Sequence, residues 1–454
     1  MSVPWSKFLP SSGLVAWCST TVLTSNLLCA PLAMAESIGQ RPSLTATSYI
    51  HVAPVASFST DFVKLIAGAV QHADGVQAAA ARWQAEKFGV DAAVGAQLPS
   101  GSIYGEAGMA NGTNTTPYSY GVRVSVPLYD GYSAGFATDA QRATAEAAHD
   151  GALDELSATL VDLVVAAAAI RRAAETLDAR RAQRVSVQDL LATMVREREA
   201  GIASRVDTDQ VEAQLAQVDI DIASAQSARL QAEESFAGIA GSAPDHVGAI
   251  GSIARLLPAT LDAGLALAMR ENPKLAQRIG LALAAQFNAK SVHSSFGPAL
   301  SLDLSAGARG DVLGTTASAA DVRAVIRLQV PLAFGTEAVV RKSAHTAQAA
   351  EFETNAARNG VTAGLSSAYA RLANSRRSLS LAYDALERAR SVRAGMTVER
   401  DLGERSIFEL LGAQSSFAEA QIRVASLTYD IVVAEHLLAA QLGRIDDIYG
   451  VSLD

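Results

Sequence analysis

The sequence predicts an α+β membrane protein built by duplication, each half running helix, two strands and a long helical hairpin. Three observations carry that prediction. Proline is absent between Pro127 and Pro244 and again after Pro331, in Ala-rich stretches whose apolar residues recur every three or four positions, a pattern that only helices sustain over such lengths. Four shorter segments alternate apolar and polar residues with period two, as strands with two different faces do. Val-Pro-Leu closes one such segment at 126–128 and another at 330–332, a shift of 330 − 126 = 204 residues, and self-similarity at a fixed offset marks an internal repeat.

Residues 1–35 hold one charge, Lys7, followed by a broadly apolar stretch from Gly13 to Ala30 and the small-residue pattern Ala33-Met34-Ala35. This reads as a secretory signal peptide cleaved after Ala35. The apolar run is interrupted by Ser, Thr and Asn, so a retained N-terminal anchor stands as the alternative. Both cysteines, Cys18 and Cys29, fall inside the segment, which leaves a mature chain without disulfides or thiol chemistry. Bulky Trp17 and Leu28 precede them where a lipoprotein signal needs small residues, so the exported protein is expected to be unlipidated. Loss of Lys7 takes the net charge from −9 to −10, which argues against nucleic acid as a partner. No later apolar run reaches the roughly 18 residues of a spanning helix. A mature chain that enters a membrane does so as strands.

The first repeat covers 36–242. Residues 36–55 mix polar residues with proline and read as extended or poorly ordered, and a helix follows over about 61–96 with Val63, Ile66, Val70, Trp83 and Val90 as core candidates. Strands are expected at about 97–110 and 119–129, joined by the turn-rich stretch 111–117. In the second of them Tyr120, Val122, Val124, Val126 and Leu128 share one face, and Ser119, Gly121, Arg123 and Ser125 the other. The helical hairpin spans about 134–238. Leu153, Leu156, Leu160, Leu163, Ala167, Ile170, Ala174 and Leu177 form a coiled-coil seam outward; Val211, Leu215, Val218, Ile222 and Ala225 form it on the return. At about 1.5 Å per residue the outward limb is a rod on the order of 100 Å.

A Gly, Ser and Pro linker at 243–259 leads to the second repeat, 260–443. Its first helix carries Asn-Pro-Lys-Leu at 272–275, where the first repeat has His-Ala-Asp-Gly-Val at 72–76. Strands follow at about 298–310, with Leu300, Leu302 and Leu304 against Ser301, Asp303 and Ser305, and at about 321–333, with Val322, Ala324, Ile326 and Leu328 against Arg323, Arg327 and Gln329. The second hairpin spans about 336–441, with seams through Leu365, Leu372, Leu379 and Leu386 and through Phe417, Val424, Ile431 and Leu438. Residues 444–454 form a C-terminal tail.

Four alternating strands of about ten residues suit a membrane barrel with one face to lipid and one to a lumen. Four cannot close a barrel, since about eight are needed, and hydrocarbon does not tolerate an open sheet edge. The chain must therefore oligomerise. Tyr104, Tyr118, Tyr120, Tyr129, Tyr132 and Phe334, near strand ends, fit interfacial aromatic belts; ordinary sheet packing is the alternative.

The duplication, the Asn-Pro-Lys-Leu element, both Val-Pro-Leu strand ends and two hairpin tips of form Gly-x-x-Ser-x-x-acid together resemble the TolC family of bacterial outer-membrane factors. The resemblance covers essentially the whole mature chain. It implies a homotrimer whose subunits give four strands each to a 12-stranded β-barrel, continued by a periplasmic α-helical coiled-coil barrel, with outer-membrane lipid around it. It implies a passive exit duct for efflux or type I protein secretion, joined through a periplasmic adaptor (membrane fusion) protein to an inner-membrane ABC or proton-driven transporter. By the same resemblance Gly201, Ser204 and Arg205, and Gly403, Arg405 and Ser406, dock the adaptor, while Asp207, Asp209 and Glu409 constrict the entrance. Gly412 stands where the family commonly has a second acid, which puts a double acidic ring in doubt. Plainer readings of these residues remain open. Ser204 with Asp207, and Ser406 with Glu409, have capping-box spacing, and exposed acids on helices are commonly just solvated.

No cofactor or metal is implied. The seven histidines are dispersed without a ligand spacing, and neither a phosphate loop nor a nucleophile elbow is present, so the chain is read as no enzyme and a secreted hydrolase has no site to stand on. A different class fits the helices alone: a periplasmic coiled-coil tethering protein without a pore, its strands forming an adhesive sheet. The form of the second tip, Gly-Glu-Arg-Ser-Ile-Phe-Glu-Leu-Leu at 403–411, inclines the resemblance toward the secretion and general-duct branch. Cargo is a property of the inner-membrane partner.

Overall fold

The computed structural model describes residues 50–52, 60–108, 117–244, 246–311, 319–332 and 334–453. The expected leader, with its expected cleavage site and the two cysteines, and most of 36–55 lie outside them. The chain runs β1 (Ile50–Val52), α1 (Thr60–Gln71), α2 (Asp74–Gly95), β2 (Ser100–Ala107), β3 (Pro117–Tyr129), α3 (Ser133–Glu199), α4 (Arg205–Ala240), a 3₁₀ turn (Ala254–Leu256), α5 (Leu261–Glu271), α6 (Pro273–Ser294), β4 (Ala299–Asp311), β5 (Ala319–Gln329), α7 (Thr336–Asp401), α8 (Ile407–Gln441), α9 (Ile445–Tyr449) and β6 (Val451–Leu453). Helix–strand–strand–hairpin therefore occurs twice.

The four middle strands form one antiparallel sheet in the order β2-β3-β4-β5. All four helix–strand junctions fall at one end of it. Pro127 is compatible with a central strand because β2 pairs with β3 only as far as Ser125, and the register with β4 shifts between Pro127 and Tyr129, so the missing N–H falls where one side is unpaired. Below the sheet the helices form a single layer. Near the sheet the order is α2-α3-α6-α7, and farther away α4-α3-α8-α7. Thus α3 and α7, 67 and 66 residues long, run the whole height, about 100 Å, and two shorter helices share each. The predicted seams are inward: Leu156, Leu160, Leu163, Val211, Val218, Leu365 and Leu438 are fully buried.

Several boundaries differ from expectation. The helix expected over 61–96 is two, broken at His72–Ala73, and that from 260 is broken at Asn272, whose side chain caps α6 by accepting from Leu275 N at 2.9 Å. His-Ala-Asp-Gly-Val and Asn-Pro-Lys-Leu therefore make the same break by different means. The first strand starts at Ser100 rather than 97, because Leu98 N still closes a helical turn on Gly95 O at 3.1 Å. Strand β5 stops at Gln329, so the second Val-Pro-Leu lies past its end, and Ala333 is outside the described residues. The C-terminal tail is not a plain extension: α9 and β6 fold back, and β6 pairs antiparallel with β1.

This last contact builds the largest core. Phe62, Ile66 and Val70 of α1, Leu156 and Leu163 of α3, Phe236 of α4, Ile253 of the linker, Val432 of α8, and Ile445, Tyr449 and Val451 form one buried cluster at mid-height. Glu435, 1% exposed, is the polar pin of this region. It accepts from Ser252 Oγ at 2.7 Å, Ile253 N at 3.0 Å and Arg376 Nη2 at 3.0 Å, tying the inter-repeat linker to α7 and α8, and a buried carboxylate is tolerated only when so paired.

Candidate functional site: the hairpin tips and the two-faced sheet

Both hairpins reverse through the same five-residue turn, 200–204 in the first and 402–406 in the second. In the first, Gly201 holds φ at +77°; its N–H reaches Arg198 O at 2.9 Å, and Ile202 N reaches Glu197 O at 2.8 Å. In the second, Gly403 holds +79°, with Gly403 N to Arg400 O and Glu404 N to Glu399 O both at 2.9 Å. These are paired Schellman closures, which favour glycine at the left-handed residue. The following helices open on full capping boxes. Asp207 N donates to Ser204 Oγ at 3.2 Å and Ser204 N to Asp207 Oδ2 at 3.0 Å; Glu409 N donates to Ser406 Oγ at 3.4 Å and Ser406 N to Glu409 Oε2 at 3.0 Å. The plainer reading of both serines is therefore present in the geometry.

The two tips differ in their arginines. Arg405 is clamped, donating to Glu399 at 2.7 Å and to Glu409 at 3.1 Å. Arg205 is 87% exposed and, among the described residues, reaches only Asp209, at 3.8 Å. The Ser406 backbone bond, seconded by Arg405, holds the Glu409 carboxyl below the usual carboxylate range. Asp207 is committed to its box, and Gly412 is exposed with no side chain to add.

One contact that binds the tips together is invisible in the sequence. Arg400 Nη2, near the end of α7, donates to both carboxylate oxygens of Glu197, near the end of α3, at 2.7 Å. Beneath it Val187, Leu190, Met194, Val211, Ile407, Leu410 and Leu411 form a joint apolar cluster. The two tips are thus one end-piece. Large apolar side chains are left exposed on it beside the charged ones: Ile202 and Val206 on the first, Leu402 and Phe408 on the second.

At the other end the sheet sorts its residues by face. Cross-strand register places Glu106, Arg123, Asp303, Arg309, Asp321, Arg323 and Arg327 on one side, with Ser102, Ser125, Ser301 and Ser305. The opposite side carries Ile103, Tyr120, Val122, Val124, Leu302, Leu304, Val322, Ile326 and Leu328. That apolar side is exposed, Val322 at 84% and Ile326 at 67%. An apolar outer band with polar inner residues at every second position is the pattern of a membrane barrel strand. Tyr104 is the exception among the predicted belt aromatics. It points to the polar side, where its hydroxyl covers Gly121 and Gly307, facing glycines without room for a Cβ, and Arg123 lies 5.2 Å from its ring. Tyr118 and Tyr120 stack near one end of β3, Tyr129 and Tyr132 meet edge-on at the other, and Phe334 is fully exposed past β5. Nine to eleven residues of strand separate the tyrosine pairs, about 25 Å of height once tilted.

Among the described residues no helix is long and apolar enough to cross a membrane. Residues 65–242 and 265–444 match the family model described as outer membrane efflux protein. The chain is 23% identical over 333 residues to the outer membrane efflux protein BepC of Brucella suis biovar 1 (strain 1330), which covers 73% of each chain. Two solved structures share the fold: CusC, with a TM-score of 0.77 at 18% identity over 89% of this chain and 98% of its own, and a membrane protein from Pseudomonas aeruginosa, also 0.77, at 15% over 85% and 90%.

Proposed function

The chain belongs to the outer membrane efflux protein family and resides in the outer membrane, and we propose that it works there as a passive trimeric exit duct whose helical end-piece docks a periplasmic adaptor. One observation carries the duct: a sheet with an exposed apolar face, its charges gathered on the other face, and two open edges, β2 and β5. Hydrocarbon accepts such a sheet only when closed, and three copies of four strands supply a 12-stranded barrel. The helical layer has matching open edges, α4 and α7 below and α2 and α7 above, so the same three copies close a tube beneath the barrel. The tethering alternative leaves the apolar face uncovered and receives no support from it.

At the tube's far end, the glycines and serines shape the tips and the exposed Ile202, Val206, Leu402 and Phe408 meet the adaptor, with the exposed Arg205, held only by a long contact to Asp209, adding an ionic contact. Asp207 and Glu409 cap helices and in addition line the entrance. The inner-membrane transporter, ABC or proton-driven, supplies the energy and chooses between small molecules and a secreted protein as cargo. In planar bilayers the purified trimer is expected to conduct ions, and Glu409→Lys to lower cation preference. Unchanged selectivity would leave Glu409 as a cap alone, and a monomer that never conducts would end the duct reading.

A further inference from the structure

Two lysines sit just beneath the sheet on aromatic rings. Lys87 Nζ lies 4.8 Å from the centre of the Trp83 ring, one turn earlier on α2. Lys290 Nζ lies 5.1 Å from Phe287 and 6.0 Å from Phe136 of α3. Among the described residues neither lysine pairs with a carboxylate.

Both face the same side of the helical layer. On one side of α3, Arg82 and Glu86 of α2 and Gln277 and Leu281 of α6 line a single trough with Thr144 and Ala148. A trough walled by α2 on one flank and α6 on the other, with α3 as its floor, marks this as the concave side of the layer. Trp83 and Lys87 line a separate cavity of about 530 Å³ with Arg142, Glu146 and His149, on the opposite side of α3. Lys290 is nine residues from Leu281, two and a half turns, and so projects from the opposite face of α6. The two lysines are therefore on the convex side, the exterior of any tube this layer closes.

Their height fits a bilayer surface. Lys290 is four residues before the end of α6 and Lys87 eight before the end of α2, about 6 and 12 Å from the sheet's end. The headgroup layer extends about 5–7 Å beyond the hydrocarbon on each side, and a lysine stem reaches several ångströms toward it. The acid of α3 nearest the sheet on this face is spent, since Asp139 pairs with Arg142 at 2.9 Å. Glu146 and Asp150 line the same cavity as Lys87, which leaves Lys87 the weaker cation of the two. Asp91 stands one turn nearer the sheet than Lys87 on the same face of α2 and offsets part of its charge.

We propose that this convex collar binds the phosphates of anionic phospholipids in the periplasmic leaflet of the outer membrane, Lys290 being the principal cation and Lys87 the second. The proposal rests on the membrane-duct reading and is tested separately from it. The full-length trimer is placed in nanodiscs of phosphatidylcholine with graded phosphatidylglycerol, and retained lipid is read by native mass spectrometry. The wild type is expected to enrich phosphatidylglycerol, with the enrichment falling about fivefold in Lys290→Ala, less in Lys87→Ala, not at all in the distant Lys274→Ala, and restored in Lys290→Arg. Equal enrichment in Lys290→Ala overturns the collar, as does enrichment abolished by millimolar inorganic phosphate, which marks a free-phosphate site. A trimer that conducts but shows no anionic preference fails the collar only; a chain that neither inserts nor conducts fails the duct reading, and the collar with it.

Discussion

Gly201 and Gly403 have open space where a Cβ would stand, so alanine there meets only the strain of a left-handed residue, about 1 kcal/mol. Each Gly→Ala is expected to lower tip stability by that amount in hydrogen exchange of the adjoining turns, with the sheet untouched. Glu409 adds a pH dependence. Its folded pKa is depressed, so its contribution is complete above the unfolded value of about 4.5 and is lost as pH falls through the folded value below it. The protection factor at the first turn of α8, with the intrinsic exchange rate divided out, should fall on acidification in that window, and Glu409→Gln should abolish that fall; a flat wild-type protection profile would contradict it. The capping boxes were legible because each partner lies three residues from the other. Arg400 with Glu197 was not, because 203 residues separate them and each alone looks like an exposed helix charge.

At the scale of elements, period counting located the strands and seams but not the places where tertiary packing overrides it. A five-residue helix and a three-residue strand at the C-terminus carry no period to count; they exist because Ile445, Ile448, Tyr449, Val451 and Leu453 are buried in the mid-height core. Glu435 likewise resembles a surface acid in an apolar seam until its three donors are seen. In the sheet, Gly121 looked like a mere member of the polar face. A Cβ built on it would stand 2.5 Å from Ala306 O and 2.9 Å from the Tyr104 hydroxyl, and a carbonyl within a paired ladder cannot retreat. Gly121→Val is therefore expected to break the β3–β4 pairing and abolish trimer in the membrane fraction, whereas Gly105→Ala in β2, with nothing within 4 Å, should assemble normally. Normal assembly of Gly121→Val would refute the close approach of these strands.

For the whole molecule, closure is the decisive property, and the open edges define where to test it. Within a subunit Ser102 of β2 and Arg323 of β5 both face the polar side, at opposite edges of the sheet. If three copies close head to tail, Ser102 of each comes beside β5 of the next, at a register fixed by the barrel's stagger. The chain's own cysteines stand at 18 and 29, inside the expected leader, so a mature double variant carries only the introduced thiols. Ser102→Cys combined in turn with Asp321→Cys, Arg323→Cys, Val325→Cys or Arg327→Cys should give one strongly cross-linked register, because paired strands lie about 4.8 Å apart and a disulfide spans Cα atoms only to about 7 Å. Denaturing gels should then show a ladder that stops at three subunits and no longer collapses on heating. Head-to-tail contacts that fail to close give open filaments, so a ladder continuing past three would point to fibres. A dimer alone would point to a pairing of like edges, and either outcome would remove the barrel on which the duct depends.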